Sequence, residues 1–403
     1  MPLAPAEHAN VETHLLLQWL RQTENRDAEW RSDPPWDWRV FADACEFHQV
    51  VPLIFRRLDS LPEHTVPAGL SAHLRNRFYT ISLANYLLAN QLVALTSRLE
   101  EEDIPVLALK GPAVAMTVYG DLALRQFQDL DLMVHLEHLP NAIKVMVGAG
   151  FRMVPNCRPE TRTDRAQLHH ATFQAPDQSH FVDLHWQLAD DLSRGFSPEV
   201  EKVWSHSQTL QLPHGRVSTM CREDLFLVLC YHGGKHRWAC LKWLVDVAEL
   251  LRSADTWNWS RIEEMIANRP GVGASAGLGT LLAHELLGAP VPAVAARILP
   301  VTERARRVAD AIREEILHSH TVAVDPHRTL LELEERRAAR MKYWGTRWFR
   351  QVFQVCDKDR AVVQLPEKLE FLYWYIRLLR LVMKHSRRAA CSLWFLARSL
   401  ARE

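Results

Sequence analysis

Seven cysteines are scattered along the 403-residue chain, and no two form a Cys-x-x-Cys pair. They are therefore expected to be reduced thiols of a cytosolic protein. No uninterrupted apolar stretch reaches the ~18 residues that a membrane span needs. The start, "MPLAPAEHANVETHLLLQWL", lacks a basic region followed by an apolar core, so no signal peptide is expected and a cytoplasmic location is. Charge of one sign is also missing: 48 basic residues meet 48 acidic ones, for a formal net charge of zero. That balance disfavours a dedicated nucleic-acid binder, which usually carries a basic surplus. Internal repeats and low-complexity tracts are absent. What remains is an ordinary globular composition, 48% hydrophobic and 24% charged, long enough for two or three domains.

The first hundred residues read as helix. "SDPPWDW" is a turn that opens a helix over roughly Trp38 to His48. From Leu70 to Leu99, Leu70, Leu74, Phe78, Ile81, Leu88, Leu92, Leu95 and Leu99 recur at spacings of three, four and seven. They mark one face of a long amphipathic helix. Asn85 falls on that stripe and is expected to be a hydrogen-bonded core amide.

The texture then changes. "IPVLAL" (104–109) reads as a buried strand that ends at Lys110-Gly111. A short helix follows with Pro112 as its first residue, where a missing N–H costs nothing. "LDLMV" is a second strand. "EHLPNAIKVMVGAGF" reads as helix closed by Gly148 and Gly150, and "HATFQA" and "HFVDLHW" are two strands joined by the turn "PDQS". After Ser197-Pro198 the chain is expected to be helical to its end. The fold class is thus α+β, a small mixed sheet with helical regions before and after it. The expected divisions are 1–100, 101–190, 191–300 and 301–403.

The acidic strand poses a chemical question, because an unpaired carboxylate in an apolar run is costly. Asp129 and Asp131 alternate with Leu130 and Leu132, so the two carboxylates share one face about 6–7 Å apart and the leucines face the core. Such a pair either meets solvent or an arginine at a strand edge, or shares divalent cations. Magnesium suits carboxylate and phosphate oxygens, so a site of the second kind ordinarily includes a nucleotide. Asp183, in "FVDLHW", lies on a later strand that can pair nearby, and His185 shares its face.

The neighbourhood weights the choice. Leu109-Lys110-Gly111, Tyr119, Arg125, Asp129-x-Asp131 and Val182-Asp183-Leu184-His185-Trp186 follow in order, and "YHGGKHRWACLKWLVDVAELL" begins at Tyr231. This combination resembles the nucleotidyltransferase superfamily of DNA polymerase beta and kanamycin nucleotidyltransferase, and within it the bacterial branch of uncharacterised nucleotidyltransferases, over roughly residues 35–255. The resemblance implies a metal-dependent nucleotidyltransferase. Asp129, Asp131 and Asp183 would be the catalytic carboxylates and the ligands of Mg2+, with Mn2+ as the alternative ion. A nucleoside triphosphate, ATP foremost, would be the co-substrate, held through Lys110, Gly111, Arg125, Lys235 and His236. The branch's association with biosynthetic clusters tilts the acceptor toward a small molecule or peptide, with RNA or a protein as the alternative. One position departs from the superfamily's usual Gly-Ser turn: here it is Gly111-Pro112, without that hydroxyl or that amide. A fold of this kind retained only to bind nucleotide, or as a scaffold, is the alternative reading, and the intact carboxylate set argues against it.

Other features carry bland alternatives. Lys110 can be a snorkelling strand-end residue and Arg125 a structural partner of Asp129. His232 and His236 are four apart, but Gly233-Gly234 reads as a helix break and no third ligand follows, which disfavours zinc. The break suits a loop that carries Lys235, His236 and Trp238 to a cleft whose floor is the acidic sheet, with core packing an equal reading for Trp238 in a chain of fourteen tryptophans. Lys242 and Asp246, four apart, are expected to pair. "FLYWYIRLLRLVMKHSRRAACSLWFLARSL" is a basic aromatic helix, more often docked on its own domain than on a membrane.

Overall fold

The computed structural model describes residues 9–21, 36–60, 66–154, 168–190, 192–253, 257–318, 327–353, 363, 372–380 and 383. They fall into two compact units, 1–333 and 334–403. The first opens with helices α1 (Ala9–Leu20), α2 (Trp38–Phe47), α3 (Val51–Asp59) and α4 (Ala68–Glu101). Asp37 caps α2, its side chain accepting from the Arg39 amide. Strand β1 (Val106–Ala108) leads through the short helix α5 (Pro112–Val114) and a π-turn to β2 (Asp129–Val134). Helix α6 (Leu139–Gly148), β3 (Arg152–Met153), β4 (His170–Gln174), β5 (Phe181–His185), α7 (Val200–Ser205), β6 (Gln208–Leu212) and β7 (Gly215–Thr219) follow. Helices α8 (Arg222–Lys235), α9 (Leu241–Arg252), α10 (Trp259–Ala267), α11 (Pro270–Leu287), α12 (Ala293–Ile298), α13 (Glu303–His318) and α14 (Arg328–Leu333) complete this unit. The second unit contains α15 (Arg337–Phe353). The basic aromatic segment from Phe371 lies mostly outside the described residues.

The seven strands form one mixed sheet in the order β3-β4-β5-β2-β1-β7-β6. Strands β2 and β5 run parallel, with Asp131 opposite Asp183, whereas β1 and β2 are antiparallel. Across β4, β5, β2 and β1 one sheet face is apolar. Leu130, Leu132, Val134, Val182 and Leu184 pack there against Leu92, Leu95 and Leu99 of α4 and Leu139, Ala142 and Met146 of α6. Leu107, Leu109 and Met133 belong instead to the larger core that the helices build. Helix α4 serves both cores, since Leu70, Leu74 and Ile81 of its first half join the helical one. Asn85, between the halves, donates to the carbonyls of Leu122 (2.7 Å) and Arg125 (2.9 Å), as its place on the stripe predicts.

Two expectations fail. The chain is not all helix after Pro198: "QTLQLPHGRVST" is a hairpin, and β7 runs parallel beside β1, with Ala108 opposite Thr219. The Thr219 hydroxyl clasps the join by donating to the Ala108 carbonyl at 2.7 Å. Nor do Gly233 and Gly234 break a helix, because α8 runs through both to Lys235. The glycine at 233 makes room: a Cβ there would lie 2.2 Å from the ring of Trp238. The break comes later, where Arg237 and Trp238 take the left-handed conformation, with φ of 54° and 53°. Trp238 folds back into the core, fully buried.

Candidate active site

Alternation along β2 and β5 builds the floor. With Leu130 and Leu132 on the apolar face, Asp129 and Asp131 must share the other, and parallel register sets Asp183 beside Asp131. On the next strand, Thr172 stands opposite Asp183 and His170 opposite His185. The sheet therefore presents two short polar rows, Asp131–Asp183–Thr172 and His185–His170. Gly111 turns the chain above them at φ +59°, where a Cβ would press to 3.2 Å from the Asp129 carbonyl.

The carboxylates are not equivalent. Asp131 is buried; Lys110 Nζ donates to its Oδ1 at 3.1 Å, and His185 Nε2 lies 2.9 Å from the same oxygen. Burial works to raise this carboxyl's pKa, but Lys110 and His185 outweigh it and hold the group well below the usual carboxylate range. Asp129 is raised, by burial and then by the charge of Asp131. Asp183 is raised too, chiefly by burial, although Thr172 Oγ1 donates to its Oδ1 at 2.6 Å. Two partly desolvated carboxyls beside a paired third make a site short of positive charge. Ligand atoms of Asp131, Asp183 and His185 lie within 4.8 Å of one another, a donor set that fits a divalent cation.

Facing the floor is one side of α8. A cleft of about 270 Å³ is lined from below by Lys110, Asp129, Asp131, Asp183, His170 and His185, and from the helix by Val228, Tyr231, His232 and Lys235. His236, just past the helix end, lines it as well. Five of the lining residues are histidines (169, 170, 185, 232 and 236). Burial holds His236 down at about 4 and His170 at about 3, so both are neutral at physiological pH. Lys235 is lowered as well, again by burial first.

The structure thus brings Lys110, Asp129, Asp131, Asp183, Lys235 and His236 to one cleft and leaves others out. Trp238, expected on the wall, lies in the core. Arg125, expected near phosphate, is buried against Asp246: Nε donates at 2.9 and 3.0 Å and Nη2 at 2.8 Å, with Tyr119 donating to the same carboxylate at 2.8 Å. Lys242 does not pair with Asp246; its ammonium donates to Gln49 Oε1 and to the Gln126 carbonyl. Val228, Tyr231 and His232 were not read as site residues, although spacings of three and four place them on one helix face with Lys235. Interpreting Gly233-Gly234 as a break hid that face.

Residues 34–288 match the family described as uncharacterised nucleotidyltransferase, and the chain belongs to that family. Among solved structures it is similar to the antibiotic-resistance factor ANT(2'')-Ia, at 15% identity over 57% of this chain and 97% of that one, with a TM-score of 0.28. It is also similar to an antigenic nucleotidyltransferase-like protein from Paracoccidioides brasiliensis, at 14% identity over 47% and 91%, with a TM-score of 0.28. No curated protein matches. Among the described residues, no helix is long and apolar enough to cross a membrane.

Proposed function

We propose that this family member transfers a nucleoside monophosphate from a nucleoside triphosphate, ATP foremost, to a small-molecule or peptide acceptor and releases pyrophosphate. The observation that carries this reading is the meeting of three carboxylates on adjoining strands with Lys235 and His232 of α8, and His236 just past its end, across one cleft. Asp129, Asp131 and Asp183 would hold divalent cations, which when bound neutralise the triphosphate and align the attacking oxygen. Lys110 and Lys235 supply cations from opposite walls, suited to phosphate oxygens on either side of the scissile bond. Asp183, beside Asp131 on the floor of the cleft, is placed to take the proton of an acceptor hydroxyl. As neutral imidazoles, His170 and His236 can each both donate a hydrogen bond to the acceptor and accept one from it.

The test is mass spectrometry of a panel of small molecules and peptides after incubation with the four triphosphates and a divalent cation. An acceptor that gains one nucleoside monophosphate, only in the presence of the protein and not with Asp131→Asn, is the expected result. Full activity of Asp131→Asn would sink the assignment. Nucleotide binding that ignores divalent cations, with no transfer to any acceptor, would favour a binding or scaffold role instead.

A further inference from the structure

The metal reading rests mainly on oxygen ligands, yet one member of the cluster is a nitrogen. His185 is only 7% exposed and stands two residues beyond Asp183 on the same strand face. Its Nε2 lies 2.9 Å from Asp131 Oδ1, inside the group whose ligand atoms fall within 4.8 Å of one another. Its Nδ1 is buried without a hydrogen-bond partner among the described residues. Here the ring is held from the carboxylate side, and its plane is set by stacking on His170, with centroids 5.0 Å apart and 30° between the planes. Asp131 also has a cationic partner apart from His185, since Lys110 pairs with the same oxygen.

We infer that His185 is a metal ligand alongside Asp131 and Asp183, and that this mixed nitrogen and oxygen set selects a first-row transition ion of the Mn2+ kind over Mg2+. The inference rests on the reading of the cleft as a divalent-metal site and specifies which class of ion it takes. Mg2+ favours oxygen donors and retained water in near-ideal octahedra, whereas imidazole raises affinity along the transition series.

The test pairs calorimetry with pulsed EPR on the full chain, with Mn2+ and Mg2+ as probes, alone and with ATP. Mn2+ should bind on the order of tenfold or more tightly than Mg2+, and its spectrum should carry the nitrogen coupling of a bound imidazole. His185→Asn should remove that coupling and narrow the preference, with Mn2+ still held by Asp131 and Asp183. Mn2+ binding that Asp131→Asn abolishes, in a wild-type protein without nitrogen coupling, would overturn the ligation by His185 and leave the metal reading standing. Failure of either ion to bind wild type, with or without ATP, would overturn both. Absence of nitrogen coupling in the wild-type spectrum overturns the ligation even if the variant misfolds.

Discussion

The two walls of the cleft are built on different logic. The floor is a sheet, so its chemistry follows from period two: once Leu130 and Leu132 are buried, Asp129 and Asp131 have one place to go. The helical wall obeys tertiary packing. Lys235 and His236 reach the cleft because Gly233 admits the Trp238 ring and so fixes how α8 ends. A floor set by backbone geometry suits groups that must not move relative to one another. A wall set by packing at a helix end suits groups that meet a ligand after it arrives.

Substitution on each wall sharpens the contrast. Asp131→Asn should cut turnover by at least about 10^3-fold, the scale of removing a group that stabilises transition-state charge, with the fold intact by circular dichroism. Lys235→Met should instead raise KM for the triphosphate by roughly tenfold to a hundredfold, from the ~1.5–3 kcal/mol of a hydrogen bond to a charged group, with kcat changed less. Steady-state pyrophosphate release reads both. Equal losses of kcat from the two variants would break the comparison.

The next effect is on stability. Arg125→Met leaves Asp246, fully buried, with Tyr119 as its remaining side-chain donor. It should cost about 3–5 kcal/mol in denaturant unfolding, most of it restored by the double variant with Asp246→Leu. A normal unfolding midpoint with weakened nucleotide binding would return Arg125 to the phosphate site. Smaller still, Gly233→Ala should cost about 1–3 kcal/mol through overpacking against Trp238, and should raise KM through the displaced end of α8. A variant as stable as wild type would remove Trp238 as the element that shapes this wall.

The smallest expected effect concerns pH. Burial, helped by Arg125, lowers Lys242 from 10.5 to about 8. The unfolded chain then binds the extra proton between pH 8 and 10.5, so this lysine's contribution to stability rises with pH across that window. Unfolding of Lys242→Met, compared with wild type at pH 7.5 and 10, should lack that rise. An identical pH dependence in both proteins would place the ammonium in contact with water.

Much of this was legible beforehand, and the reasons differ by element. The stripe on α4 could be read because a helix of 34 residues repeats its signal many times. The floor could be read because two aspartates inside an apolar alternation leave few arrangements. The β6–β7 hairpin was missed although "QTLQL" and "RVST" alternate around Pro213-His214-Gly215, a signal for strands that the helical surroundings masked. The partner of Arg125 was beyond sequence reasoning, since Asp246 lies 121 residues away and only packing brings it near. For Lys242 and Asp246, helical spacing made a pair available, and long-range partners took both residues.

The most direct measurement is diffraction from crystals soaked with Mn2+ and a non-hydrolysable triphosphate analogue, with anomalous scattering used to locate the metal. The predicted result is an anomalous peak bound by Asp131 and Asp183, with the triphosphate lying between that peak and Lys235. Metal and nucleotide bound outside this cleft, with the three carboxylates untouched, would contradict it.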